Sequence, residues 1–289
     1  MKRRMMNKIK KTLVIGLIVS LSMTGLAACG GGNSGTEAGG SVVTAGSTSV
    51  QPLSEELAAV FMDANPGYTV DVQGGGSGQG IKSIQEGIAD IGALSRNLKD
   101  EEKSSVSKEI TIALDGIAVV VNKDTTVKNL TLEQIRQIYT GEINNWKEVG
   151  GVDAPITVVS REEGSGTRGA FTEITKVLVK DAAGNETDNT VANALIQPST
   201  GSVKTTVAST PNTIGYVSLG ALDDSVKTVK VEGVVPSIEN VIDGSYKISR
   251  PFIYVVGEKV SETAQLYLDF VLSEEGQAVV VDNGFISVK

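Results

Sequence analysis

Three stretches of this chain run from a strand pattern through a turn of small residues into a helix pattern, each with Ser or Thr at the turn: Gly46-Ser47-Thr48-Ser49, Gly76-Ser77-Gly78 and Gly164-Ser165-Gly166-Thr167. Residues 42–45 read as a strand, and residues 52–64 as a helix with Leu53, Leu57, Val60 and Phe61 on one face and Pro52 in its first turn. Residues 68–72 alternate as a strand, 74–80 form a turn, 81–88 form a helix with Ile81, Ile84 and Ile88 on one side, and 90–94 form a short strand. Strands alternating with helices across short turns predict an α/β fold with a mainly parallel sheet, whose turns gather at the carboxyl ends of the strands. The first turn of a helix carries N–H groups without intrahelical partners and a partial positive charge, and a glycine-rich approach lets a tetrahedral anion sit against them. Three such ends, with Arg161 just before the third, predict a site for one small oxyanion.

The β-branched run 117–122 and a helix over 130–139, started by Thr131 with Glu133 and Gln134 in its first turn, open what reads as a second lobe. Strand 156–159, helix 167–179, a polar excursion 181–189, helix 202–208 and strand 214–217 fill it, and 252–256 returns as a strand. The expected organisation is therefore residues 41–118 with 250–289 as one lobe and 119–249 as the other, joined by crossings near 119–123 and 246–253. The charge run from Lys99 to Lys103 reads as a solvated helix start, and Tyr139 and Trp146 as core.

At the front, residues 1–11 are strongly basic, 12–25 are mostly apolar, and Leu26-Ala27-Ala28-Cys29 follows, the three-part layout of an export signal over 1–28. The apolar run is short for a membrane span. The last four residues resemble the lipobox of bacterial lipoproteins, which implies cleavage before Cys29 and a stable two-chain lipid anchor there. That use accounts for the single cysteine and leaves neither a disulfide framework nor a thiol metal site. Residues 29–40, half of them Gly, with Ser, Thr, Asn and a single acidic residue among the rest, read as a flexible tether. The net charge is −8; losing Lys2, Arg3, Arg4, Lys8, Lys10 and Lys11 with the signal leaves 20 basic against 34 acidic residues, a net of −14. Such a surface argues against a nucleic-acid partner, and it means local dipoles and one or two arginines must hold any anion.

The chain contains no histidine, which excludes a Ser-His-Asp triad, an imidazole base and His metal ligands. Gly164-Ser165-Gly166-Thr167 lacks the Gly-Lys-Ser/Thr ending of a P-loop. A Ser-Lys hydrolase stays open, although no Ser-x-x-Lys stands on a clear helix start with the rest of such a site. The expectation is a binding protein, not an enzyme, with no cofactor and no metal.

The segments 45–53, 74–80, 89–92, 115–119, 132–146, Arg161-Glu162-Glu163-Gly164-Ser165-Gly166-Thr167-Arg168 and 212–220 occur in the order seen in PstS-like phosphate-binding proteins of bacterial ABC importers, a resemblance that covers nearly all of 41–289. It implies a two-lobed, periplasmic-binding-protein-like fold of type II with two hinge-crossing strands. It further implies a monomer that closes on inorganic phosphate outside the cytoplasmic membrane and passes it to two permease subunits with a cytoplasmic ATPase. The family's phosphate-binding turns fall on Thr48 with the N–H of Ser49, on Ser77, and on Arg161, Ser165, Gly166 and Thr167. Helix capping is the competing reading for Thr48 and Ser77. Another oxyanion receptor, or a surface sensor or adhesin on the same fold, is the alternative function.

One position departs from the family pattern. Many members carry Asp after the strand that here ends at Leu94, and this chain has Ser95 followed by Arg96. A carboxylate there accepts the proton that phosphate carries near neutral pH and repels fully ionised sulfate, so its absence bears on selectivity. Asp115, which starts the strand near the hinge and precedes Gly116, is read as the displaced carboxylate, against a turn or cap aspartate. Arg96 either adds charge to the site or pairs with a surface carboxylate.

Overall fold

The computed structural model describes residues 39–182 and 184–289; the expected export signal over 1–28 and residues 29–38 of the expected tether, Cys29 among them, lie outside the described residues. In chain order, β1 (Ser41–Gly46) feeds α1 (Gln51–Ala64), β2 (Thr69–Gly74) feeds α2 (Ser77–Gln85), and β3 (Ile91–Leu94) leads through a 3-10 turn at Asp100–Ser105 into the long β4 (Lys108–Val121). There follow β5 (Asn129–Leu130), α3 (Leu132–Thr140), β6 (Thr157–Arg161), α4 (Gly166–Ile174), β7 (Leu178–Lys180), β8 (Glu186–Asp188), β9 (Leu195–Gln197) and α5 (Thr200–Ser209). Then come β10 (Thr213–Ser218), β11 (Lys227–Thr228), β12 (Lys230–Val231) and α6 (Ile238–Ile242), before the chain returns through β13 (Ser249–Val256) to α7 (Glu262–Val271) and α8 (Glu274–Asp282).

Among the described residues the main sheet runs β2-β1-β3-β13-β4-β10-β6-β9, with β11 also on β4. β1 pairs in parallel with β2 and β3, and β10 and β9 pair in parallel with β6. Both lobes thus bring the carboxyl ends of their parallel strands to the turns that the sequence singled out. β4 joins the two halves of the sheet: it pairs with β13 from Lys108 to Gly116 and with β10 from Ile117 to Val121. The changeover at Gly116 and Ile117 comes a few residues earlier than the crossing expected near 119–123.

Separate cores explain why the chain forms two lobes. In the first, Val42, Leu53, Leu57, Phe61, Phe252, Tyr254, Tyr267 and Phe285 pack α1, α7 and α8 on one sheet face, while Ile81, Ile84, Leu94 and Val255 pack α2 on the other. In the second, Ile117, Val119 and Val121 face Ile135, Ile138, Trp146 and Phe171, while Ala118 and Val120 face Val203 and Val207 of α5. The β-branched run has no polar alternation because both of its faces are covered. Trp146 is core, with its indole N–H on the Asn212 carbonyl at 3.1 Å. Tyr139 and Phe171 pack edge-on at 4.8 Å, and Phe171 stacks on Tyr216 at 4.0 Å.

Three helix boundaries differ from the sequence pattern, each for a local reason. α2 starts at Ser77 and not at residue 81, and it tolerates Gly80 inside it because a Cβ there would lie 2.9 Å from the Ala45 carbonyl oxygen and 3.1 Å from that of Ala93. The glycine lets the helix lie directly on the ends of β1 and β3. Ile88, expected on the buried side, falls beyond the helix end and is 58% exposed. α4 stops at Ile174, the left-handed Lys176 (φ 62°) turns the chain, and the polar excursion becomes the antiparallel hairpin of β7 and β8.

Candidate oxyanion site

The first lobe supplies a shelf of hydroxyls. The N–H of Ser47, just past β1, donates to the Ala93 carbonyl at 2.8 Å, and its Oγ donates to Ser95 Oγ at 2.7 Å. Ser77 Oγ accepts the Ser95 N–H at 3.1 Å and lies 3.5 Å from Ser95 Oγ. Neither Thr48 nor Ser77 caps a helix: α1 is preceded by Val50 and α2 by Gly76, and neither end has a side-chain cap. Freed from capping, these hydroxyls face the second lobe. Ser165 does cap, accepting the Arg168 N–H at 3.3 Å and keeping its own proton to donate.

The second lobe presents Arg161, the last residue of β6, with its side chain 2% exposed. Its Nε and one terminal nitrogen donate to both oxygens of Glu162 at 2.7 Å, and the terminal nitrogens also donate to Thr48 Oγ1 at 3.1 Å and Thr200 Oγ1 at 3.2 Å. The Tyr216 hydroxyl supports the same strand end, bonding Ser160 Oγ at 2.8 Å and accepting the Arg161 N–H at 3.3 Å. Burial pushes the Tyr216 phenol up to about 12, so it stays neutral.

Further bonds cross the cleft directly. Ser49 Oγ lies 2.7 Å from Thr167 Oγ1 and 2.8 Å from Thr200 Oγ1; the Thr200 N–H donates to Thr48 Oγ1 at 3.3 Å and the Gly78 N–H to the Gly164 carbonyl at 3.0 Å. Gly166 is the closest point: a Cβ there would fall 2.1 Å from Ser77 Oγ and 2.7 Å from Ser95 Oγ. Thr48, Ser49, Ser77 and Ser95 are therefore brought together with Arg161, Ser165, Gly166 and Thr167. All but Thr48 of these are buried.

Asp115 is not brought into that cluster. Its Oδ2 accepts from Nε and a terminal nitrogen of Arg250 at 3.2 and 3.0 Å, and its Oδ1 from Ser218 Oγ and the Leu219 N–H at 2.9 and 3.2 Å. These four donors occupy both oxygens, so the carboxylate has turned from the hydroxyls to the hinge. Burial pushes the Asp115 carboxyl up and the Arg250 guanidinium down, and their mutual attraction opposes both shifts. Arg250 reaches the cluster itself, donating to the Ser95 carbonyl at 3.1 Å. Both guanidiniums that reach the cluster thus have their own carboxylate, Arg161 with Glu162 and Arg250 with Asp115. Backbone N–H groups, hydroxyl protons and the remaining Arg161 N–H are what this arrangement can offer an anion.

Arg96 pairs with a carboxylate. Its fork donates to both oxygens of Glu102 at 2.7 and 2.6 Å, and the Lys99 N–H donates to the same group at 2.9 Å. Burial pushes Glu102 up, but the Arg96 fork and the Lys99 N–H outweigh it and hold the carboxyl below its ordinary value. The sign follows: this stability is present above the unfolded carboxyl pKa, about 4.3, and is lost as pH falls through the folded value. Hydrogen exchange in 100–105 is expected to rise below about pH 4, before global unfolding. Unchanged protection there down to the global transition would contradict this reading.

With the geometry established, comparison with known proteins places the chain. The model of the PBP superfamily domain matches residues 31–275. The phosphate-binding protein PstS of Bacillus subtilis is 34% identical over 297 aligned residues, covering 96% of this chain and 95% of that protein. The chain belongs to the PstS family. Among solved structures, a candidate phosphate ABC transporter substrate-binding protein of Clostridium perfringens with bound phosphate is 47% identical, with a TM-score of 0.80 and coverage of 86% of this chain and 100% of that one. An ABC-type phosphate transport receptor of Vibrio cholerae is 35% identical, with a TM-score of 0.71 and coverage of 85% and 99%. The mixed α/β, two-lobed fold is the one expected.

In this PstS-family chain the structure adds three residues that the sequence reading left out. Ser47 braces Ser95, Glu162 holds Arg161, and Thr200 bridges Arg161 to Ser49. Ser47 and Glu162 lie inside stretches that the sequence singles out without giving them a role, and Thr200 has a signal of its own, since Ser199-Thr200-Gly201-Ser202 repeats the small-residue turn seen three times earlier in the chain.

Proposed function

We propose that this protein captures inorganic phosphate outside the cytoplasmic membrane and delivers it to an ABC permease without chemical change, as a monomer tethered through lipid on Cys29. One observation carries the reading: hydroxyl and N–H donors from both lobes converge with a buried guanidinium across a single cleft. Phosphate adds bonds through its oxygens to the direct bonds between the lobes, so closing the lobes and binding the ion become one event. Thr48, Ser77, Ser95 and the N–H of Ser49 donate from the first lobe, and Arg161, Ser165, Gly166 and Thr167 from the second. β4 and β13 act as the hinge. Asp115 acts on the ion at one remove, by holding Arg250 against the Ser95 carbonyl.

No carboxylate takes the place of the missing aspartate in this reading; the Ser77 and Ser95 hydroxyl oxygens accept a hydrogen bond from the protonated oxygen of the phosphate. Hydroxyls can also donate, so the site tolerates a fully ionised oxyanion better than a carboxylate would. Calorimetric titration of ligand-stripped protein near neutral pH tests the function. Binding near micromolar, about −8 kcal/mol, is expected for phosphate. A protein that gives no phosphate heat, or that prefers sulfate, does not have this function. Ser95→Asp is expected to weaken sulfate relative to phosphate by about tenfold or more; an unchanged ratio would remove Ser95 as the selectivity position.

A further inference from the structure

We propose that Thr200 is a positioning residue that sets the direction of the hydroxyl chain across the cleft, so that the chain ends in a proton offered to the anion. This rests on the phosphate reading above and adds to it a residue outside the three turns.

Capping does not account for Thr200. The preceding residue, Ser199, caps α5 by accepting the Ser202 N–H at 3.0 Å, yet Thr200 is buried and its hydroxyl and N–H are both spent on the cleft. Arg161 can only donate, so Thr200 Oγ1 must accept at that contact. The Thr200 proton then has one partner within reach, Ser49 Oγ, and leaving it unpaired in a buried position would be costly. Ser49, having accepted, turns its own proton to Thr167 Oγ1. Thr167, having accepted in turn, holds a proton that no acceptor among the described residues claims, at the helix start beside Gly166. The order Arg161, Thr200, Ser49, Thr167 thus transmits the donor character of a guanidinium to a hydroxyl. Each accepted bond polarises the next O–H and makes it a better donor. Without Thr200, the Ser49–Thr167 pair can reverse and present lone pairs to an ion that needs donors.

The test compares Thr200→Val and Thr200→Ser with wild type in the full chain solubilised in detergent, using inorganic phosphate. Valine keeps the shape and the N–H to Thr48 but removes the hydroxyl; serine restores it. Thr200→Val is expected to lose about 10- to 100-fold in phosphate affinity, mainly through faster release, with the melting temperature of the phosphate-free protein lowered by no more than a few degrees. Thr200→Ser is expected to stay within about threefold of wild type. Wild-type affinity in Thr200→Val overturns the proposal, and so does a lowered melting temperature of the phosphate-free variant with affinity intact, which would make Thr200 merely structural. A loss of affinity that serine does not rescue overturns it as well. Failure of wild type itself to bind phosphate would overturn the ligand reading and this proposal together, whereas the other outcomes leave the ligand reading standing.

Discussion

Arg161→Met is expected to weaken phosphate binding by about 100- to 1,000-fold, the largest loss from any single change at the site. Truncating one member of a buried, hydrogen-bonded charge pair costs about 2–5 kcal/mol, and tenfold in affinity corresponds to about 1.4 kcal/mol. Two effects add here. The ion loses a charged donor, and Glu162, which Arg161 neutralises through two bonds of 2.7 Å, is left as an uncompensated negative charge beside an anion. The second effect can be removed separately. Arg161→Met/Glu162→Gln should recover part of the loss, by roughly tenfold, because the repulsion disappears while the missing donor does not return. Arg161→Lys should recover little, since an ammonium cannot hold Glu162 with one edge and reach Thr48 and Thr200 with the other. Calorimetry on the three variants checks the series; if Arg161→Met stays within about threefold of wild type, the site is not built around this guanidinium.

Arg250→Met should destabilise the fold by about 3–5 kcal/mol, whereas Asp115→Leu/Arg250→Met should be close to wild type or more stable. The two residues face each other in register on β4 and β13, with side chains 0% and 1% exposed. Removing one partner strands the other as a buried charge, while removing both trades a costly desolvation for packing against Phe252, whose ring already lies 5.4 Å from the guanidinium. For a chain of this length 1 kcal/mol corresponds to about 2–4 °C, so the single variant should melt roughly 10 °C lower. The pH dependence gives an independent check. The Asp115 carboxyl is raised by burial, so its contribution to stability is greatest at low pH and declines as pH rises from the unfolded value near 4 through the folded one. Glu102 has the opposite sign, and acid should therefore loosen the 3-10 turn while protonation of Asp115 costs the hinge no stability. The double variant is also expected to bind phosphate more weakly than wild type, because Arg250 no longer fixes the Ser95 carbonyl. A double variant as unstable as Arg250→Met would show that the pair stabilises the fold outright.

Much of this was legible in the sequence because the informative residues lie close together in the chain. The turn after β1 and the Arg161–Thr167 element each compress a strand end, a turn and a helix start into a few residues, and the sequence places those junctions correctly. The partner of Arg96 lies six residues away, within reach of a local reading. Asp115 shows where such reading stops. Its composition and its neighbour Gly116 fit a binding carboxylate equally well, and only the register between β4 and β13 reveals that a residue 135 positions away occupies it. Thr48 and Ser77 needed backbone coordinates for a similar reason, since whether a hydroxyl caps a helix depends on where the helix starts, and Gly76 and Val50 took those positions. The two glycines inside α2 lowered its apparent helical propensity, and the close approach to the sheet that requires Gly80 is a tertiary fact.

The return of the chain through β13 also fixes when the molecule can become a folded protein. The first lobe begins at Ser41, but its core is completed by Phe252, Tyr254, Tyr267, Leu268, Val271, Val280 and Phe285, and β13 fills the slot between β3 and β4. A growing chain that has made β1 through β4 therefore holds three parallel strands and a solitary long one with no partner between them. The lobe made first is finished last: its core can close only once β13, α7 and α8 have been made, after the residues of the second lobe.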